Sequence, residues 1–262
     1  GIYINGSDGS LIMSTSINEN ALRNNYAGDQ GGVALFINNS ENIKINDIDI
    51  QNNEFSSYLQ SFVNYGGAIR VDGCNGDSIS FKNVRIMKNT IDHVSAVDIN
   101  NSSSVYFSES IIGFNVIPNS IEKFSITGGG NWSNCFIVYN QGNGIDGGNI
   151  SNSTIIGNNL GIANANANNL TIINNNIGAE SSISQSNILG NGTGVSGINY
   201  VAENNYWGDS SGPFHISQNP NGIGDSVEQG VDVEPWLTAP NTDTPPIPAQ
   251  NTTVTGTGND FI

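Results

Sequence analysis

A nine-residue pattern ending in Asn recurs along this chain and leaves few folds open to it. Its positions read apolar, any, polar, variable, any, aliphatic, any, any, Asn. Copies stand at Phe81–Asn89, Trp132–Asn140, Ile150–Asn158 and Ile183–Asn191. The closing residues are Asn25, Asn53, Asn89, Asn115, Asn140, Asn158, Asn175, Asn191 and Asn205. Three residues before each stands an apolar side chain: Leu22, Ile50, Ile86, Ile112, Ile137, Ile155, Ile172, Ile188 and Ala202. Six residues before each stands a carboxylate or amide: Glu19, Asp47, Asn83, Glu109, Asn134, Asn152, Asn169, Gln185 and Asn199. A high Asn content alone would not produce the aliphatic column.

Units this short cannot bury an apolar face by themselves, but stacked units share one continuous core. The apolar pieces are short, β-branched and bounded by Gly and Asn, as strands are, and the 3.6-residue period of a helical solenoid is absent. The pattern therefore predicts an all-β chain: a right-handed parallel β-helix with an Asn ladder. Equivalent residues then stack at roughly 4.8 Å per coil. Asn tolerates the left-handed backbone of a sharp corner, and stacked amides satisfy one another in a narrow interior. The spacing of closing Asn residues falls from about thirty near the N-terminus to about fifteen near the C-terminus, so the coils shorten along the chain. Early coils carry apparent insertions at 53–65 and 71–78; late ones have a second strand near Ile145, Ile162 and Val195, each preceded by Gly. Insertions on a solenoid map to loops and often to the binding face.

The coils occupy 1–205. Residues 206–239 break the pattern and are expected to cap the open core, with Trp207, Phe214 and Trp236 as the plug, because a large ring covers the most area per residue. Residues 240–262 read as a Pro/Thr-rich linker and a tail strand.

Composition narrows the partners. Lys and Arg total 7 against 23 Asp and Glu, for a formal charge of −16. Every Lys and Arg lies at or before Lys123, which disfavours nucleic acid and an anionic membrane. No apolar run is long enough to span a bilayer. The chain opens at Gly1 with neither Met nor a leader, as a processed protein or an excised piece does. Scarce Cys and Lys with abundant Asn, Ser, Thr and Gly suit an extracellular cell-surface setting.

The segments NNYWGDSSGP, NPNGIGDSV and VDVEPWL, between Asn204 and Leu237, resemble the closing segment of right-handed β-helix domains in secreted archaeal and bacterial surface proteins. GGVALFIN and GGAIRVDG are similar to repeats in adhesin-like proteins of methanogenic archaea, and more distantly to repeats of chlamydial polymorphic outer-membrane proteins. The resemblance covers most of the chain as a repeat style, and only the closing segment is specific. It implies a non-catalytic adhesive or structural role at a cell surface, with self-association or neighbouring surface proteins as partners. Open β-helix ends also stack or accept a strand, which makes head-to-tail assembly plausible.

The rival reading is a polysaccharide-binding or polysaccharide-degrading enzyme. It would use the one dense mixed-charge region: Asp47, Asp49, Arg70, Asp72, Lys82, Arg85, Lys88, Asp92, His93 and Asp98. The same residues read as a solvated face in which Asp49 and Arg85 pair across strands. No cofactor is called for. Calcium is the one candidate ion, on Asn219, Asn221, Asp225 and Asp209, although turn chemistry explains those residues equally. Val138, Ile156, Ile173 and Leu189, with Phe136 beside them, form an aliphatic stripe that is either core or a partner surface. Cys74 and Cys135 fall in different loops, and no disulfide between them is expected.

Overall fold

The structure is a computed structural model, and it describes residues 2–7, 9, 11–18, 21–23, 33–56, 67–91, 95–117 and 123–247. Asn25 and His93, Asp92 of the charged region and the tail beyond Ile247 lie outside them. Every paired strand runs parallel to its neighbours. Crossover connections between parallel strands are right-handed in nearly all cases, and the chain is a right-handed parallel β-helix.

The coils share three long faces, and the early ones add a short three-stranded sheet of Ala21–Arg23, Glu54–Ser56 and Thr90–Ile91. The first is a nine-stranded sheet that includes Ile2–Asn5, Val33–Asn38, Gly67–Asp72, Val97–Asn100 and Phe124–Gly128, and ends at Thr193–Val195. The second runs from the first half of Ile43–Gln51 through Ile79–Lys82, Val105–Ser108, Asn131–Ser133, Asn149–Ser151 and Asn166–Asn168. The third runs from the second half of Ile43–Gln51 through Arg85–Met87, Ile111–Gly113, Phe136–Val138, Thr154–Ile156, Thr171–Ile173 and Asn187–Leu189. Ile43–Gln51 spans two faces, so the second and third count as one fourteen-stranded sheet.

The aliphatic column is the inward position of the third face. Ile50, Ile86, Ile112, Ile137, Ile155, Ile172 and Ile188 are all fully buried. On the second face the core column is aromatic where coils are long: the rings of Phe81, Phe107 and Trp132 stack with centroids 4.2 and 4.1 Å apart. The column then narrows through Ile150 to Ala167.

The Asn ladder is present, and its geometry explains the residue choice. The main-chain N–H and the Nδ2 of each rung both donate to Oδ1 of the next. The two contacts are 3.0 and 3.0 Å from Asn53 to Asn89, and 2.9 and 3.0 Å from Asn175 to Asn191. The other Nδ2 hydrogen goes back one coil to an aliphatic carbonyl, as from Asn115 to Ile86 O at 3.0 Å. Both amide hydrogens and the oxygen are thus engaged, which a buried amide requires. The rungs are separated by 36, 26, 25, 18, 17 and 16 residues, so the coils do shorten.

Three expectations about this register need correction. Leu22 is not in the aliphatic column: it pairs with Phe55 on a separate three-stranded sheet, and Ile17 pairs with Ile50 in its place. The rungs are not the left-handed residues. Positive φ belongs to the residue before each rung (Asn52, Lys88, Phe114, Tyr139, Gly157, Asn174, Gly190) and to the column six before it (Asp47, Asn83, Glu109, Asn134, Asn152, Asn169, Gln185). Asn205 is not a rung either. Its predecessor Asn204 has φ 57° and occupies the corner between second and third faces, Tyr206 bridges to Asn187, and Asn205 Oδ1 accepts from Ser186 N at 2.9 Å. Asn205 therefore ends the neighbouring column of Ser110, Cys135, Ser153 and Ser186, whose side chains accept corner N–H groups. Both corners place a small polar residue after a left-handed one, and spacing alone does not tell them apart.

Most of residues 71–78 is also regular rather than inserted. Val71 and Asp72 end a strand, Gly73 is a left-handed corner (φ 67°), and Cys74 accepts from Ser40 N; only 75–78 loop out, exposed. Both cysteines are free and buried, each standing where other coils have Ser.

Candidate functional site

The densest chemistry lies on the outer surface of the first face. Strand register stacks Tyr3, Phe36, Arg70, Asp98 and Thr127 in one column. The Tyr3 and Phe36 rings stack at 5.1 Å, and Arg70 Cζ lies 5.6 Å from the Phe36 centroid. Arg70 Nη2 meets Asp72 Oδ2 at 2.9 Å and Nη1 meets Asp98 Oδ2 at 3.3 Å, while Thr127 Oγ1 donates to Asp98 Oδ1 at 3.4 Å. Arg70 is only 5% exposed. Burial raises the Asp98 pKa above the ordinary carboxylate value, and Asp72 adds to the rise. The Arg70 charge and the Thr127 hydroxyl oppose it.

Among the described residues, the rest of the mixed-charge region does not join this column. Asp49 and Arg85 stand directly opposite one another on the third face, where Asp49 accepts from Gln51 and Arg85 reaches the Met87 sulfur at 4.0 Å. Asp47 sits on a corner and accepts from Asn83 Nδ2 at 2.7 Å. Lys82 is on the second face, paired with Glu109 at 3.2 Å with both side chains more than half exposed. The expected single charged face is thus three faces, because a coil places residues a few positions apart on different sides of the solenoid. Burial pushes the Cys135 thiol up to about 11 and raises Cys74 as well, which leaves both poor nucleophiles.

The closing segment builds the cap. Trp207 is fully buried and continues the aliphatic column one coil past Ile188, its indole lying against Gly194. Trp236 packs on the core while partly exposed. Phe214 is 43% exposed and is no part of the plug; Val227, Val231 and Val233 fill that role. Register accounts for the difference: the residue one coil past Ile188 faces inward, whereas Phe214 pairs on a short two-stranded ribbon whose outer side is open.

The calcium candidates are engaged elsewhere. Asp225 is the last rung of the Asn ladder. It accepts from Gly190 N at 2.7 Å, from Asn191 N at 2.9 Å and from Asn191 Nδ2 at 2.8 Å. Burial raises its pKa, and those hydrogen bonds oppose the rise. Asn219 Nδ2 braces a turn through the Ser211 and Pro213 carbonyls at 2.7 and 2.8 Å, and Asn221 is exposed. Asp209 accepts from Ser211 N, which holds it below the usual carboxylate value. Turn and ladder chemistry account for these residues, and among the described residues no three His, Cys, Asp or Glu side chains gather.

Sequence reasoning missed the strap. Residues 241–247 are not a free linker but run back along the outer third face. Asn241 N donates to Asn187 Oδ1 at 2.8 Å, Asn187 Nδ2 donates to Asn241 O at 3.0 Å, and Asn241 Nδ2 reaches Gln185 O at 2.6 Å. One coil further, Thr171 Oγ1 donates to Pro245 O. Ile247 then packs with Val138, Ile156, Ile173 and Leu189. Val138, Ile156 and Ile173 of the aliphatic stripe are therefore buried, as a second cluster outside the main core, with Leu189 partly buried and Phe136 exposed. Position −4 of the repeat gave one weak signal, since it becomes Thr, Thr and Asn where the strap crosses.

No family model and no curated protein matches the chain. Among solved structures, QnrB1, a plasmid-mediated fluoroquinolone resistance protein, is similar at 12% identity over 87% of this chain and 92% of its own, with a TM-score of 0.24. That superposition is too loose to carry an argument about this chain.

Proposed function

We propose that the chain is a non-catalytic, exported surface protein. In this reading a stiff β-helix serves as an adhesin-like or filament-forming element, in the manner of the archaeal surface proteins that its repeats and closing segment resemble. One observation carries the proposal: the ionisable groups that a glycosidase or lyase would need are spread over three faces, and Asp72 and Asp98 are tied to one buried Arg70. Most buried polar side chains serve coil stacking, and the shortage of bases suits an extracellular surface. Protease shaving of intact source cells tests the location, and incubation with a polysaccharide panel tests the chemistry. The expected results are release of this chain by the protease and no shortening of any polymer. Depolymerisation that Asp98→Asn abolishes would overturn the non-catalytic reading.

A second reading has its own observation. On the outer second face, exposed Tyr106 shares a column with Asn131, Asn149 and Asn166, whose amides link at 3.0 Å per coil. An aromatic platform beside fixed amides, with no charge among them, suits an uncharged glycan. Glycan-array binding that Tyr106→Ala removes would favour this reading; an empty array would end it.

A further inference from the structure

We propose that the outer third face is a peptide groove that takes residues 241–247 of a second copy of this chain, so that copies join by exchanging straps. This deepens the self-association part of the reading above and rests on it. The groove has two tracks set by strand alternation. Thr171 and Asn187 supply hydrogen bonds on one track, and Val138, Ile156, Ile173 and Leu189 supply apolar area on the other. The strap lies along both tracks: Thr171 and Asn187 are 0% and 1% exposed and Ile156 and Ile173 7% and 5%, while Leu189 stays partly exposed.

The recognition is sequence-specific rather than a general apolar cover. The Asn187 amide takes both the N–H and the C=O of Asn241, as a strand edge would, and Nδ2 also reaches Thr244 Oγ1 at 2.6 Å. Pro245 has no N–H to satisfy and a fixed φ, so the strap is partly preorganised. Thr238, Ala239 and Pro240, which join the strap to the cap, are exposed and serve as the hinge. A strap supplied by a neighbour makes the same contacts as a strap supplied in cis, so exchange changes little beyond the chain entropy of association. Occupancy in cis is favoured by an effective concentration of order millimolar; chains crowded on a surface approach that regime. An empty groove would bare the stripe to water, so each groove has a standing demand for some copy's strap.

Two full-length variants test this. One lacks a usable strap (Asn241→Ala with Ile247→Asp) and the other lacks a usable groove (Asn187→Ala with Ile173→Asp). Each keeps the partner element that the other has lost. Mixed in equal amounts, they are expected to form a one-to-one dimer by light scattering, which a synthetic peptide of residues 239–248 competes away. A mixture that stays monomeric at several times the peptide's Kd, with both variants giving cooperative melts, would overturn exchange. Should the groove variant fail to fold, anisotropy of the labelled peptide on the strapless chain decides alone. Saturable binding, weakened about tenfold or more when Asn187→Ala is added, supports the groove, and no binding refutes it. Neither readout depends on where the protein resides, so failure here leaves surface display standing.

Discussion

At the residue scale, the buried amide column shows why Asn is used in preference to any other small polar side chain. Each rung gives two donors and one doubly used acceptor in a dry corner. Replacing Asn115 by Ala leaves Asn89 N and one of the two Asn89 Nδ2 hydrogens without an acceptor and takes one donor from the Ile86 carbonyl. At about 1–3 kcal/mol per orphaned hydrogen, urea unfolding is expected to show a loss of about 2 kcal/mol or more. Asn166→Ala, on the exposed ladder of the second face, is expected to shift stability by no more than about 0.5 kcal/mol. Asp225 adds a pH term. Its folded pKa is raised by burial, so the folded form holds its proton to higher pH than the unfolded chain does. That contribution is full below the ordinary carboxylate value and is lost as pH rises through the raised folded value; Asp98 acts in the same sense. Asp225→Asn keeps an oxygen acceptor without the charge. Its NH2 then faces Gly190 N–H in place of an acceptor, so it is expected to flatten the decline between acid and neutral pH at some cost in melting temperature, whereas Asp225→Ala lowers the melting temperature further throughout.

At the scale of the element, the first-face strands begin with a small residue for a reason visible only in three dimensions. Ala34, Ala68, Ala96 and Ser125 open the wide early coils, and Gly144, Gly161 and Gly178 open the narrow late ones. A Cβ on Gly161 would sit 2.4 Å from the Gly178 carbonyl oxygen and 3.4 Å from the Asn175 amide carbon. Backbone cannot yield there without parting two coils. Gly161→Ala is therefore expected to lower stability by about 2 kcal/mol or more in thermal unfolding, although Ala fills the same station in the early coils. The aliphatic column, the ladder and the shortening coils were legible because they repeat. Asn205 was misplaced because two corners share one local pattern. The place of Asp225 in the ladder was not legible because it reaches Asn191 from 34 residues away, and no spacing rule foresees that. The charged region was read as one face because adjacency in sequence is not adjacency around a coil.

For the whole molecule, stability is a sum over neighbouring coils, and the long-range charge works against it. With a net −16 and no Lys or Arg after Lys123, unbalanced carboxylates repel one another through water. Raising ionic strength is expected to raise the melting temperature. Adding calcium or a chelator at constant ionic strength is expected to leave it unchanged, since Asp225 and Asn219 already have protein donors and acceptors. A calcium-specific rise of several degrees would reverse that assignment.

The ladder also has a sense of travel. From Asn53 onward every rung hands its two hydrogens toward the C-terminus and waits for an oxygen that comes later in the chain. A polypeptide emerging N-terminus first would thus always present a growing tip with two dangling N–H groups. Each new coil is captured by the one before it, much as a crystal face admits its next layer. Growth stops when a carboxylate arrives in place of an amide: Asp225 accepts, has no side-chain hydrogen to hand on, and turns its main-chain N–H back to the Trp207 carbonyl.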